Sequence, residues 1–222
     1  MGHSRARRRA PSASGRPLVR PPRGRLALTF DDGPDPVYTP ALLEVLARHG
    51  VAATFFLIGR SVRARPDLAR AIAAAGHTIG NHTQTHPDLV GLAHEDALDE
   101  IAACAGTLAA FVGSHSALVR APYFKTTPLL EIDLSAMGLR FTGATCAPND
   151  WVPQTAKRLL ARIINGHRGK KRAIVALHDG DHTGLGADRG PTVEATELVI
   201  QHFRSERYEF ADAGELLAEG LS

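Results

Sequence analysis

The sequence predicts an α/β protein in which about seven parallel strands alternate with helices, either closed into a (β/α) barrel or open as a doubly wound sheet. From residue 25 onward, short β-type runs alternate with helical patterns. Parallel neighbours need a crossover connection, which a helix usually supplies, so this alternation favours a parallel sheet. The length of 222 residues, with 44% hydrophobic and 22% charged residues, fits one globular core.

The strands are predicted at residues 26–30, 53–58, 77–80, 117–121, 140–145, 173–177 and 208–210. The helices between them are predicted at residues 40–49, 66–75, 95–112, 127–137, 155–165 and 192–206. The first helix has Thr39 as its expected N-cap, Pro40 in its first turn and Gly50 after its last residue. The helix at 95–112 has the clearest pattern, because apolar residues recur there at alternating spacings of three and four.

Charge divides the chain into a basic beginning and an acidic body. Residues 1–25 hold eight of the 26 Lys and Arg residues and none of the 23 Asp and Glu residues, so residues 26–222 carry a net charge of −5. We expect residues 1–25 to be a disordered basic extension and residues 26–222 to form one domain. A polyanion-binding arm and a misplaced start codon are the alternatives for the extension. We expect no nucleic-acid partner for the acidic body.

The sequence contains no run of the roughly 18 to 20 apolar residues that a membrane span needs. Its basic beginning also lacks the apolar core of a secretory signal. We therefore expect a cytoplasmic protein without membrane contact, with export as the alternative if the true start lies elsewhere. Cys104 and Cys146 predict neither a disulfide framework nor a metal-ligand pair by spacing. The oligomeric state is not indicated.

Polar residues able to carry chemistry follow five of the predicted strands. They are Asp31 and Asp32, His82 and His86, Arg120 to Tyr123, Asp150 with Trp151, and His178. Because the carboxyl ends of parallel strands meet at one face, where active sites form, we expect these segments to converge.

The histidine pair and the aspartate pair together predict a metal site. His82 and His86 are four residues apart, a spacing that a divalent metal can bridge. One of Asp31 and Asp32 would supply an oxygen ligand, and two His with one carboxylate leave positions open for water and substrate. The other aspartate would accept a proton from the attacking water. Two surface histidines and a simple Asp-Asp-Gly-Pro turn are the alternatives.

His178 ends a predicted buried strand and would donate a proton to a leaving group, if a carboxylate keeps it protonated. Asp150 is the candidate carboxylate, and Arg120 would hold Asp31 in the same way. The alternatives are a structural histidine bonded to a backbone carbonyl and a surface arginine in a salt bridge.

In chain order, these segments resemble the five motifs of the polysaccharide deacetylases, which form carbohydrate esterase family 4 and are also called the NodB homology domain. The motifs read Thr-Phe-Asp-Asp-Gly-Pro at 29–34, Asn-His-Thr-Gln-Thr-His-Pro at 81–87, Arg-Ala-Pro-Tyr at 120–123, Asp-Trp at 150–151 and Leu-His-Asp at 177–179. The resemblance covers roughly residues 25–220 and implies a distorted (β/α) barrel with about seven parallel strands.

The resemblance also implies metal-dependent removal of acetyl groups, N-acetyl first, from an amino sugar, oligosaccharide or polysaccharide such as chitooligosaccharide or peptidoglycan. It assigns one divalent metal, zinc first, with cobalt, nickel and manganese as alternatives. The implied roles are metal binding for Asp32, His82 and His86, base for Asp31, acid for His178, orientation of Asp31 for Arg120, tuning of His178 for Asp150, and substrate contact for Tyr123, Trp151 and Leu177. For Tyr123 the implied group is the backbone N–H, which would stabilise the oxyanion.

Two positions depart from the family pattern. Phe124 stands where a glycine is common, and Ala176 stands where a leucine is common. If Ala176 lined the acyl pocket, a longer acyl group would fit.

The alternative substrates are a small non-polymeric biosynthetic intermediate and another non-sugar C–N bond. Rival classes are a non-haem iron oxygenase, a polyanion binder acting through the arginine-rich extension, and a sugar-binding pseudoenzyme.

Overall fold

The computed structural model describes residues 20–184 and 186–220, and within these ranges one parallel sheet of seven strands packs against helices. The strands are β1 (Gly24–Asp31), β2 (Thr54–Leu57), β3 (Thr78–Asn81), β4 (Leu118–Val119), β5 (Arg140–Phe141), β6 (Arg172–His178) and β7 (Tyr208–Phe210). The helices of the same ranges are α1 (Tyr38–His49), α2 (Gly59–Ala64), α3 (Pro66–Ala74), α4 (His94–Phe111), α5 (Pro128–Ala136), α6 (Ala156–His167), α7 (Gly190–Ser205) and α8 (Ala213–Ala218).

The strand β1 pairs with three other strands of the sheet, namely β2, β6 and β7. In the order β5-β4-β3-β2-β1-β6, β1 pairs with β6 from Arg25 to Asp31, while β2 and β7 share its other edge. On that edge β7 pairs with the first residues of β1, and β2 pairs with its last residues. The carboxyl end of β1 is therefore held between β2 and β6.

The sheet curls far enough for its two outer edges to approach each other. The segment after β5 forms a parallel bridge to β6 between Cys146 and Val175. The Thr145 N–H donates to the Ile174 carbonyl at 2.9 Å, and the Ala176 N–H donates to the Cys146 carbonyl at 2.9 Å. This curled sheet of parallel strands confirms the distorted barrel that the resemblance implies.

Alternating side chains of the strands build two hydrophobic layers. Leu26, Leu28 and Phe30 of β1 pack in the main core, which also receives side chains of α1, α3, α6 and α7. Ala27 faces the other way, into a smaller cluster with Phe56 of β2 and residues of α8. A side chain's position along a strand therefore decides which layer it enters.

Several predicted boundaries differ from the structure. The predicted extension overlaps β1, since Gly24 and Arg25 already belong to that strand; residues 1–19 lie outside the described residues. Thr39 is not the N-cap of α1: the helix begins at Tyr38, and the Thr39 hydroxyl bonds to Asp179 instead. The helices α2 and α8 were not predicted. In the described ranges, no helix is both long and apolar enough to cross a membrane.

Candidate active site

The polar residues predicted at the strand ends lie around one cavity of about 340 Å³. Asp31 is the last residue of β1 and is in register with His178, the last residue of β6. The lining residues are Asp31, Asp32, His82, His86, Ala121, Tyr123, Phe124, Trp151, His178, His182 and Arg189. Five segments of the chain therefore meet at the carboxyl end of the sheet.

A larger and more open groove of about 520 Å³ lies elsewhere on the molecule, beside Arg162, Arg168 and Lys170. None of the residues predicted for the site lines this groove. We assign the chemistry to the smaller cavity, because the candidate acid, base and metal ligands converge there.

Three buried atoms that could ligate a metal ion face one another in the cavity. Asp32 Oδ1 lies 3.4 Å from His82 Nε2 and 3.3 Å from His86 Nε2. Within the described residues, Asp32 Oδ1 has no hydrogen-bond partner although it is buried. Two ligand atoms about 2.0 to 2.1 Å from one tetrahedral ion would be about 3.3 Å apart, so these separations fit a shared divalent ion. The donor set of one carboxylate and two imidazoles is also suitable for zinc.

The protonation of these groups suits metal binding, which requires neutral imidazoles and an ionised carboxylate. His82 Nδ1 lies 2.8 Å from the Arg120 carbonyl, so Nδ1–H donates there and Nε2 is the ring nitrogen that faces Asp32. Burial, followed by the charge of His82, lowers the pKa of His86 to about 3. Burial raises the pKa of Asp32, but the neighbouring imidazoles, His182 first and then His82, outweigh it and place that pKa well below its usual range.

The backbone at several site residues is left-handed. The φ angles are 76° at Asp32, 65° at His86, 58° at Tyr123 and 56° at Phe124. Non-glycine residues adopt this region infrequently, and such residues cluster at functional sites. At Phe124 a bulky ring therefore occupies a backbone conformation that glycine adopts without strain.

Asp31 is held by the fully buried guanidinium of Arg120. Arg120 Nη1 donates to Asp31 Oδ1 at 2.7 Å and to the Thr29 hydroxyl at 2.6 Å. Burial lowers the pKa of Arg120, and the charge of Asp31 partly restores it. The guanidinium carbon also lies 4.1 Å from the ring centroid of Phe56 and 5.5 Å from that of Phe124. These contacts enclose Arg120, and Arg120 in turn fixes the orientation of Asp31.

His178 forms a second pair with Asp150, in which the carboxylate is buried and the imidazole is partly exposed to the cavity. His178 Nδ1 lies 2.7 Å from Asp150 Oδ1, and the His178 backbone N–H donates to Asp150 Oδ2 at 2.8 Å. The Thr192 hydroxyl donates to the same oxygen at 2.8 Å. Burial lowers the pKa of His178, but the charge and hydrogen bond of Asp150 raise it more, and the result is about 9. His178 is therefore protonated near neutral pH.

Aromatic side chains form the wall of the cavity. The Tyr123 ring packs edge-on against His86 with centroids 5.0 Å apart, and the Trp151 ring packs edge-on against His178 at 5.3 Å. Tyr123, Phe124 and Trp151 all remain substantially exposed. They offer apolar surface to a ligand beside the polar groups.

Leu177 is the exception among the predicted substrate contacts. It is fully buried, packs in the main core with Val175, and does not line the cavity. The reason is strand alternation, because His178 faces the site and its neighbour on β6 must face the opposite layer. Ala176 is also fully buried and outside the cavity lining, so the structure gives no support to a larger acyl pocket at that position.

Three residues at the site were not predicted from the sequence as site residues. His182 follows His178 by four residues, the same spacing as His82 and His86, and this was the available signal. Arg189 is buried; its Nε donates to the Gly180 carbonyl at 2.9 Å. Asp179 is fully buried and is the last residue of the fifth motif, at 177–179, but neither the motif nor any spacing indicated a role for it.

The buried carboxyl of Asp179 should make the free energy of unfolding of the protein depend on pH. Its Oδ2 accepts a hydrogen bond from the Thr39 hydroxyl at 2.5 Å, and burial, aided by the charges of Asp32 and Asp31, raises its pKa to about 7. An unfolded aspartate releases its proton near pH ~3.9, so this group lowers the free energy of unfolding as pH rises from about 4 to about 7. In metal-free protein, Asp179→Asn should abolish that decline. The free energy of unfolding of the variant relative to wild type should therefore increase by roughly 2 to 4 kcal/mol when the pH is raised from ~4 to ~8.

Urea denaturation at both pH values measures this difference. The matched control is Asp99→Asn, because Asp99 is exposed on α4 and lies outside the cavity. A stability difference between Asp179→Asn and wild type that is constant with pH would contradict the prediction.

Comparison with known proteins places this geometry among deacetylases. The sequence profile described as "Polysaccharide deacetylase" matches residues 19–142. A chitooligosaccharide deacetylase of Bradyrhizobium sp. (strain ANU 289) is 34% identical over 189 residues, which cover 82% of this chain and 85% of that protein.

Two solved structures are similar over most of their length. The Bc1960 peptidoglycan N-acetylglucosamine deacetylase has a TM-score of 0.82 at 25% identity, covering 86% of this chain and 87% of its own. A family 4 acetyl xylan esterase from Clostridium thermocellum, in complex with a cobalt ion, has a TM-score of 0.77 at 32% identity, covering 88% and 91%. The similarity extends from the sequence to the curled sheet.

Proposed function

Because this chain belongs to the polysaccharide deacetylase family and is therefore a metal-dependent hydrolase, we propose that it removes N-acetyl groups from a short N-acetylglucosamine oligosaccharide. The observation that carries the proposal is the meeting of Asp31, His178 and the Asp32, His82 and His86 cluster in one cavity. The named activities of the similar proteins support the substrate class, since one acts on chitooligosaccharide and another on peptidoglycan N-acetylglucosamine.

Asp32, His82 and His86 would hold the ion, and zinc is our choice of metal. When bound, such an ion polarises the acetyl carbonyl and makes a water more acidic. Asp31 takes a proton from the water as the water attacks the acetyl carbon. Arg120 Nη1 donates to Asp31 Oδ1 at 2.7 Å, which fixes the orientation of the carboxylate.

His178 supplies the proton for the leaving group. As the C–N bond breaks, the protonated imidazole gives its proton to the amine nitrogen, and acetate and the free amino sugar leave. An amine leaves poorly without a proton, so a protonated His178 suits an amide substrate. The backbone N–H of Tyr123 is our candidate for contact with the oxyanion.

The cavity favours one acetylated sugar residue with neighbours outside it. Its volume of about 340 Å³ lies at the lower end of ligand pockets, which run from about 300 to about 1,000 Å³. The exposed rings of Tyr123, Phe124 and Trp151 offer apolar surface for the rest of the chain of sugars.

Acetate release tests this function. The protein is loaded with Zn²⁺ and assayed on N-acetylglucosamine, on its oligosaccharides of two to five units, and on acetylated xylooligosaccharides. We expect about one ion per chain and faster acetate release from the N-acetylated oligosaccharides than from the monosaccharide or the xylan esters. Release from xylan esters alone, or from none of these sugars, would overturn the proposal.

A further inference from the structure

The loop after β6 places a fourth histidine, His182, against the candidate ligand Asp32. His182 Nδ1 lies 3.0 Å from Asp32 Oδ2, and the His182 backbone N–H lies 3.4 Å from the same oxygen. The His182 ring stacks on His86 with centroids 4.0 Å apart and planes inclined by 20°. His182 therefore contacts two of the three residues that would hold the ion.

The two oxygens of Asp32 face different partners. Oδ1 faces the Nε2 atoms of His82 and His86 and lacks a hydrogen-bond partner among the described residues. Oδ2 faces His182. A hydrogen bond from His182 Nδ1–H to Oδ2 fixes the rotation of the carboxylate and leaves Oδ1 for an ion. Outer partners of this kind orient ligands and strengthen metal binding.

His182 is itself held in place by other parts of the chain. The Arg60 guanidinium, at the start of α2, bonds to the His182 carbonyl. The Asp181 carboxylate accepts hydrogen bonds from the backbone N–H groups of Thr183 at 2.9 Å and Ala187 at 3.1 Å. These contacts order the backbone on both sides of His182, so its ring can orient Asp32.

We propose that His182 is a positioning residue that fixes the carboxylate of Asp32 for metal binding. This inference rests on the metal site of the proposed function, because it assumes that Asp32 is a ligand. A direct bond from His182 to the ion is the competing arrangement. It is disfavoured because Nδ1 already faces Asp32 Oδ2, and because a fourth protein ligand would occupy the position that a catalytic site keeps open.

Zn²⁺ affinity tests the inference without relying on activity. The dissociation constant is measured by competition with a chromogenic chelator for wild type, His182→Ala and His182→Asn. We expect His182→Ala to bind Zn²⁺ about 10 to 100-fold more weakly. His182→Asn should recover most of the affinity, because its Nδ2–H is the same number of bonds from the backbone as Nδ1–H of histidine.

The matched control is His94→Ala. His94 has nearly the same side-chain exposure, 32% against 31%, and its Nε2 also bonds to a carboxylate, that of Asp133 at 2.7 Å. It lies on α4, outside the cavity, so the affinity for Zn²⁺ should be unchanged. Melting of the metal-free proteins shows whether either variant is simply less stable.

Three results would overturn the inference. The first is a Zn²⁺ affinity of His182→Ala equal to that of wild type. The second is equal weakening in the Ala and Asn variants. The third is the loss of one coordinated imidazole in pulsed EPR of the Cu²⁺-loaded His182→Ala variant, which would make His182 a direct ligand. If wild-type protein binds Zn²⁺ and deacetylates sugars but His182→Ala binds Zn²⁺ equally well, only this inference is refuted. If wild-type protein binds no Zn²⁺, the proposed function is refuted as well.

Discussion

The Asp31→Asn variant is expected to lose about 10² to 10⁴-fold in kcat/KM for acetate release while still binding one Zn²⁺ per chain. The amide cannot accept the proton of the attacking water, so base catalysis is lost. Metal binding should persist, because the donor atoms that face one another belong to Asp32, His82 and His86. Acetate release and metal content are measured on the same preparation.

Asparagine is the suitable replacement because its side-chain oxygen can still accept the hydrogen bond from Arg120. It nevertheless leaves the buried guanidinium without a counter-charge, which can cost about 3 to 5 kcal/mol of stability. Circular dichroism and thermal melting must therefore accompany the assay. Asp99→Asn, on an exposed face of α4, is the matched control and should retain full activity. Retained activity in folded Asp31→Asn would remove Asp31 from the role of base.

The second large effect is expected from Asp150→Asn, through the protonation of His178. Asp150 contributes the largest upward shift to the His178 pKa of about 9, against the downward effect of burial. Without that carboxylate the pKa of His178 falls, and the imidazole loses its proton at lower pH. Since a general acid must be protonated, the alkaline limb of the kcat/KM profile should move to lower pH. At pH ~8 we expect a loss of about 10² to 10⁴-fold.

Acetate release between pH 5 and pH 10 measures this shift in Asp150→Asn and wild type. Asp133→Asn is the matched control, because Asp133 also bonds to a histidine, His94, but lies outside the cavity. Its profile should coincide with that of wild type. An unchanged alkaline limb in Asp150→Asn would show that the limb does not report His178.

Much of the sheet and the position of the site can be predicted from the sequence, because each main strand is a short β-type run and the polar residues follow it directly. Asp31 and His178 illustrate this, since both end buried strands that are neighbours in the sheet. The helices α2 and α8 escaped prediction because six residues are too few for an apolar period to emerge.

The roles of the remaining site residues depend on where their side chains point, and the spacing of residues in the sequence does not give that direction. Leu177 belongs to a matching motif, yet its side chain enters the core because strand neighbours face opposite layers. His182 lies in a loop, where a four-residue interval fixes no direction. Its approach to Asp32 depends on partners distant in sequence, such as Arg60. Loop residues of this kind become visible only when the tertiary contacts are known.

The pairing of β1 with β2, β6 and β7 also determines when the site can form during synthesis. Arg25 pairs with Arg172 and Gly24 pairs with Tyr208, so the strand that leads into Asp31 and Asp32 finds two of its neighbours near the other end of the chain. A nascent chain shorter than about 180 residues has β2 as the only one of these three neighbours. Contacts of such long sequence separation slow folding. The segment with Asp31 and Asp32 is therefore synthesised well before the strand that carries His178, and the cavity is complete only when β6 pairs with β1.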